Sequence, residues 1–139
     1  MHIGKKMTND KAKMTNEIQS SNDKTAFDLE ERTARFGETI IDFVRTLPKD
    51  PVNIELIKQI VRSGTSIGAN YMEADAAESK KDFRHKIALC KKESKETKHW
   101  LRMIAKANPE KKNECKKLWN EAQELTRIFS SILLSKKNK

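Results

Sequence analysis

Glycine and proline are scarce, with four of one and three of the other in 139 residues. So few chain breakers leave little material for tight turns, which excludes a protein of many short strands and favours long helices. Aromatic residues make up only 6% of the chain, while Lys, Arg, Asp and Glu supply 35%. No run of about 18 apolar residues occurs, so no segment reads as a membrane-spanning helix. The first residues lack the apolar stretch of a secretory signal. Two cysteines, Cys90 and Cys115, match neither a metal-ligand spacing nor a disulfide framework. These absences point to a cytoplasmic protein, and the length suits one domain with a modest core.

What is present is helical periodicity. Residues 1–24 are rich in Lys, Asn, Thr and Ser without an apolar rhythm, and are expected to form a disordered tail. Residues 25–139 carry four periodic segments. The first spans about Asp28–Leu47 and aligns Leu29, Thr33, Phe36, Ile40, Phe43 or Val44, and Leu47, with Pro48 beyond its end. The second opens on Asp50 as N-cap and Pro51 at the first helical position, and aligns Ile57, Ile60, Gly64, Ile67, Tyr71 and Ala74. The third opens on Ser79, with Asp82 three residues on, and aligns Phe83, Ile87, Cys90, Ser94, Thr97, Leu101 and Ile104. The fourth takes Asn108 as cap with Pro109 behind it, and aligns Cys115, Leu118, Ala122, Leu125, Phe129 and Ile132. Steps of three and four in four helices joined by short connections predict an all-α, antiparallel up-and-down four-helix bundle.

Gly64 and Gly68 in "RSGTSIGANYMEAD" superficially suggest a phosphate loop. A P-loop, however, requires four residues between its glycines and a following Lys and Ser or Thr. A dinucleotide fingerprint requires a preceding strand. Neither is met. Both glycines fall mid-helix, where each costs up to about 1 kcal/mol against alanine. Their four-residue spacing gives a smooth strip on which another helix packs closely.

The same segment carries a family likeness. Arg62-Ser63, Ser66-Ile67-Gly68-Ala69-Asn70 and Glu73-Ala74 resemble the signature of the small four-helix-bundle proteins encoded in intervening sequences of bacterial 23S ribosomal RNA genes. The resemblance continues through Glu78–Phe83, Lys92-Glu93, Glu96-Thr97 and Trp100-Leu101, and covers roughly residues 28–134. It implies a cytoplasmic protomer of a homopentameric ring, with no established catalytic activity, no cofactor and a suspected link to nucleic acid. Arg62, Gly64, Gly68, Asn70 and Glu73 become its structural signature here. A related bundle, the accessory variability determinant of diversity-generating retroelements, resembles a basic pentamer that works with a reverse transcriptase and RNA.

The net charge of +9 is unevenly placed. Residues 25–79 hold 6 cations against 10 anions, a net of −4, whereas residues 80–117 hold 14 against 5, a net of +9. Within the third helix, Lys81, Arg84, Lys91, Lys95, Lys98 and Arg102 form a row about 100° from the apolar stripe. The opposite flank holds Leu89, Glu93, Glu96, Trp100 and Met103, an apolar and acidic edge suited to a head-to-tail subunit contact anchored by Trp100. Two readings of the cation row stand. The cations are solvated or paired with the acidic first and second helices, or they form a surface for RNA or DNA phosphates. No base-reading motif accompanies them, and exposed aromatics are too few for a single-strand stacking platform.

Enzyme readings fare poorly. Asp82-x-x-His85 and Glu96-x-x-His99 lie on one helix, and both histidines fall opposite its core stripe, against the geometry of a di-iron bundle. Cys90 sits on the apolar stripe without a base. Ser63, Thr65 and Ser66 also lack one. Asn70 and Glu73 are expected to fix helix register or the subunit contact, with Glu73 pairing Arg62 or a cation of the third helix. The chain thus reads as a non-enzymatic, self-assembling scaffold or adaptor with nucleic-acid affinity. The alternative is an RNA- or DNA-binding accessory factor of a ribonucleoprotein or reverse transcriptase.

Overall fold

The structure is a computed structural model that describes the backbone of residues 21–137 and the side chains of residues 29–135. The expected tail lies outside these residues up to position 20. Four helices follow: α1 (Ser21–Val44), α2 (Pro51–Asp75), α3 (Lys80–Ala107) and α4 (Lys112–Lys137). No strand occurs among the described residues.

The helix boundaries follow local chemistry. Asp50 caps α2 by accepting the Asn53 amide N–H at 2.8 Å, and Pro51 fills the first helical position, where its missing N–H costs nothing. Ser79 caps α3 in the same way, accepting the Asp82 N–H at 3.1 Å. The first helix stops at Val44, three residues short of the expected end. The chain tightens there into Thr46 N–H to Phe43 C=O and Leu47 N–H to Val44 C=O bonds of 3.0 and 3.2 Å. Lys49 Nζ then donates to the carbonyls of Val44 and Leu47. Leu47 stays buried through this turn.

Asn108 departs from its expected role. It precedes a short 3-10 turn, Pro109–Lys111, and its side chain makes no capping bond to it. The amide instead turns inward, donating to Ile104 C=O and Asn53 Oδ1 at 2.9 Å each.

Cross-helix contacts fix the topology. Between α2 and α3, Asn53 meets Asn108, Ser63 meets Thr97 and Glu73 meets Lys86, so the numbers run in opposite directions. Arg84 with Leu133 and Lys98 with Gln123 set α3 against α4 antiparallel. Gly68 beside Thr33 and Gly64 beside Ile40 do the same for α2 and α1. Arg32 closes the bundle, donating two bonds of 2.7 and 2.8 Å to the Glu121 carboxylate of α4.

The apolar stripes meet in one core. Ile40, Ile60, Ile67, Ile87, Ile104, Leu125 and Phe129 are completely buried, while the end residues Ile57, Phe83 and Ile132 pack partly buried against them. The expected glycine strip is present in α2. A Cβ built on Gly64 lies 3.1 Å from Ile40 Cγ1, and one on Gly68 lies 3.3 Å from Thr33 Oγ1. Both glycines sit in unbroken helix with no positive φ, which excludes a phosphate-cradling loop.

Candidate nucleic-acid interface

In an antiparallel bundle, neighbouring helices meet through flanks of the same phase. The flank one residue after the core stripe of α3 therefore faces the corresponding flank of α4. Arg84 Nη1 donates to the Leu133 carbonyl at 2.8 Å. Lys98 Nζ donates to Gln123 Oε1 and lies 5.1 Å from the Trp119 ring centroid, a cation–π contact. Lys81, Lys95 and Arg102 are exposed on this flank, and Lys91 is half-buried. Among the described residues, none of Lys81, Lys91, Lys95 and Arg102 forms an ion pair or a hydrogen bond. Partial burial, then the like charges of Lys95 and Arg127, push the Lys98 ammonium below the ordinary lysine value.

The sequence reading of this row missed what α4 adds. Lys116, Trp119 and Gln123 stand one residue after Cys115, Leu118 and Ala122, in phase with the α3 row. Lys116 is exposed one turn from Trp119, and Arg127, paired with Glu124 at 3.1 Å, contributes its charge near Lys98. That shared offset from the core stripe is the signal that identifies them.

The opposite flank of α3 faces α2. Arg62 of α2 donates to Glu93 at 3.3 Å and to Glu96, and the Trp100 indole N–H donates to Glu96 at 3.1 Å. Hydrogen bonding to Glu93 leads the effects that raise the Arg62 value. Partial burial alone pushes the Glu96 carboxyl up, but the bonds from Trp100 and Arg62 outweigh it and hold the group below its usual range. The two acids placed on a subunit-facing edge thus have a partner within the chain, which the sequence reading did not give them. Leu89, Trp100 and Met103 are half-buried beside them, Trp100 packing against the core. Glu93 is buried, and its Oε1 has no hydrogen-bond partner among the described residues.

The remaining signature residues resolve individually. Glu73 pairs with Lys86 of α3 at 2.7 Å, one of its two expected partners. Asn70 donates to Ser66 C=O of its own helix at 2.9 Å and makes no cross-helix bond among the described residues. Ser63 and Thr97 share a buried 2.8 Å bond, small side chains that let α2 and α3 approach closely.

Catalytic geometry is not assembled around the candidate groups. His85 and His99 are exposed on the outer face of α3, and no cluster of three metal-ligating groups forms among the described residues. Cys90 is completely buried, donates to Ile67 C=O and is pushed up to about 12, chiefly by burial. Cys115 is buried as well, and both thiols are free. No helix among the described residues is long and apolar enough to cross a membrane.

Fold and surface together define a small antiparallel helical bundle with one cationic seam and one ion-paired seam. The model of the 23S rRNA-intervening sequence protein family matches residues 26–131, and the chain belongs to that family. It is similar to a crystal structure from Bacteroides thetaiotaomicron, described as a protein of unknown function from the S23 ribosomal protein family. The two share 30% identity with a TM-score of 0.70, over 76% of this chain and 97% of that one. No curated protein matches the chain.

Proposed function

We propose that the chain is a non-enzymatic, cytoplasmic helical scaffold that binds nucleic acid through phosphate groups on the α3–α4 seam. The observation that supports this is the direction of Lys91, Lys95, Lys98 and Arg102. They share one flank of α3, on which Lys98 reaches Gln123 and Trp119 of α4, and no carboxylate among the described residues forms an ion pair with them. Cations aligned on one rod raise the local potential, attract polyanions and release counterions when phosphate arrives. Contacts of this kind position a backbone and read no sequence. Fluorescence anisotropy of labelled RNA and DNA 20-mers tests the reading. Binding at 50 mM salt that weakens at 200 mM, and is lost in Lys91→Glu/Lys95→Glu, supports it. An absence of affinity at 50 mM salt refutes it. An accessory role beside a ribonucleoprotein or reverse transcriptase uses the same surface, and salt-dependent binding is its first requirement too.

The α2–α3 edge is our candidate subunit contact in a homo-oligomer, a pentamer by family resemblance. Leu89, Trp100 and Met103 leave partly exposed apolar surface along it. Light scattering on the purified chain, wild type and Leu89→Glu/Met103→Glu, checks this. The expected result is a multimer that dissociates in the variant; a monomeric wild type contradicts it.

A further inference from the structure

Among the described residues, Trp119 is the one aromatic side chain of the large, exposed hydrophobic residues, at 37% exposure. Its setting differs from that of Trp100, which packs on the core and donates its indole N–H to Glu96. Trp119 is outside the packed core, and its N–H makes no hydrogen bond among the described residues. An indole with this much of its surface in water forgoes about a third of the gain from burying roughly 150–250 Å².

One cation touches the ring, and others stand along the same seam. Lys98 Nζ lies 5.1 Å from its centroid, and Lys95 and Arg102 stand about one helical turn to either side of Lys98 on α3. On α4, Lys116 lies one turn before the ring and Gln123 one turn after it. Lys98 is held by a side-chain amide and an aromatic ring, with no carboxylate, so a phosphate exchanges weak partners for a strong one.

An aromatic platform between cations suits one kind of polyanion. A strand with unpaired bases stacks a base on the ring while its phosphates take the flanking ammonium and guanidinium groups. A duplex keeps its bases stacked on one another and has no free base face to offer the indole. Membrane headgroups and acidic peptides also lack the planar ring that the exposed indole would stack.

We infer that the α3–α4 seam prefers single-stranded to double-stranded nucleic acid, with a base on Trp119 and adjacent phosphates on Lys95, Lys98 and Arg102. This rests on the phosphate-binding reading above and deepens it. It asks for one indole flanked by cations, not for the platform of several aromatics that the sequence does not supply.

The test pairs anisotropy of a labelled 12-nucleotide oligo(U) and a 12-base-pair RNA duplex with intrinsic tryptophan fluorescence. Oligo(U) should quench the wild type; Trp119→Phe, which keeps a stacking ring, should bind within a few-fold but lose the quench, because only Trp100 remains. Trp119→Ala should weaken oligo(U) binding about 5- to 150-fold, the range for one lost stack, and leave duplex binding unchanged. Oligo(U) binding with no quench and no loss in Trp119→Ala overturns the inference while the phosphate-binding reading stands. Equal losses for single strand and duplex in Trp119→Ala also overturn it, since the ring is then a structural prop. No binding by either oligonucleotide removes both.

Discussion

Asn53 and Asn108 exchange amide hydrogen bonds across 55 positions of sequence, each donating to the other at 2.9 Å. Asn53 lies in the first turn of α2 and Asn108 just past the end of α3, so the pair ties the α2–α3 hairpin at its open end. Both side chains are almost wholly buried, and Asn108 also returns a bond to Ile104 C=O. The link is specific because an amide offers a donor and an acceptor in one plane.

Truncating either asparagine strands the other in the interior. Asn53→Ala and Asn108→Ala should each cost about 1–3 kcal/mol in urea unfolding, the price of an unsatisfied buried amide. The double variant should cost less than the sum, with a coupling of about 0.5–3 kcal/mol. Strict additivity would mean that the pair is not a unit.

The glycines divide by what a methyl group would meet. At Gly64 it would press on Ile40 at 3.1 and 3.3 Å, whereas at Gly37 its nearest neighbours stand at 3.6 Å, ordinary contact. Gly37→Ala should therefore raise stability by up to about 1 kcal/mol through helix propensity. Gly64→Ala forces Ile40 or α1 to shift and should destabilise, by about 1–3 kcal/mol if the core does not adjust. Thermal melts of the two variants moving the same way would refute this account of the α1–α2 contact.

Glu96 gives the ion-paired seam a pH signature. Its folded-state value is depressed, so its stabilising contribution is present above the unfolded carboxylate range and is lost as pH falls through the lower folded value. Glu96→Gln should remove that contribution at neutral pH and flatten the loss of stability on acidification. Denaturant melts from pH 7 down to pH 3 measure it; parallel wild-type and variant profiles would show that the carboxylate is not coupled to folding.

How much of this was legible in the sequence depends on how many helices a feature needs. Core positions such as Ile40, Ile67, Ile87 and Phe129 are set by the period of one helix, and all four are completely buried. The caps at Asp50 and Ser79 involve neighbours three residues apart and were equally readable. The period of α3 puts its cation row on one flank, but a single helix does not say what lies across from it. Trp119 joins that surface only through the α3–α4 register, and Arg62 claims Glu93 and Glu96 only through the α2–α3 register. Asn108 misled for the same reason: its local context before Pro109 is that of a cap, while its amide is committed to a partner 55 residues away.

The central claim, that the α3–α4 cations meet phosphates, is tested most directly by the slope of log Kobs against log salt concentration for single-stranded RNA. The comparison is between wild type and Lys91→Gln/Lys95→Gln/Arg102→Gln, which leaves Trp119 and the core untouched. Each lost phosphate contact should reduce the magnitude of the slope by about 0.7, so the triple variant should fall short of wild type by about 2. A wild-type slope near zero, or a variant slope equal to it, would contradict the claim.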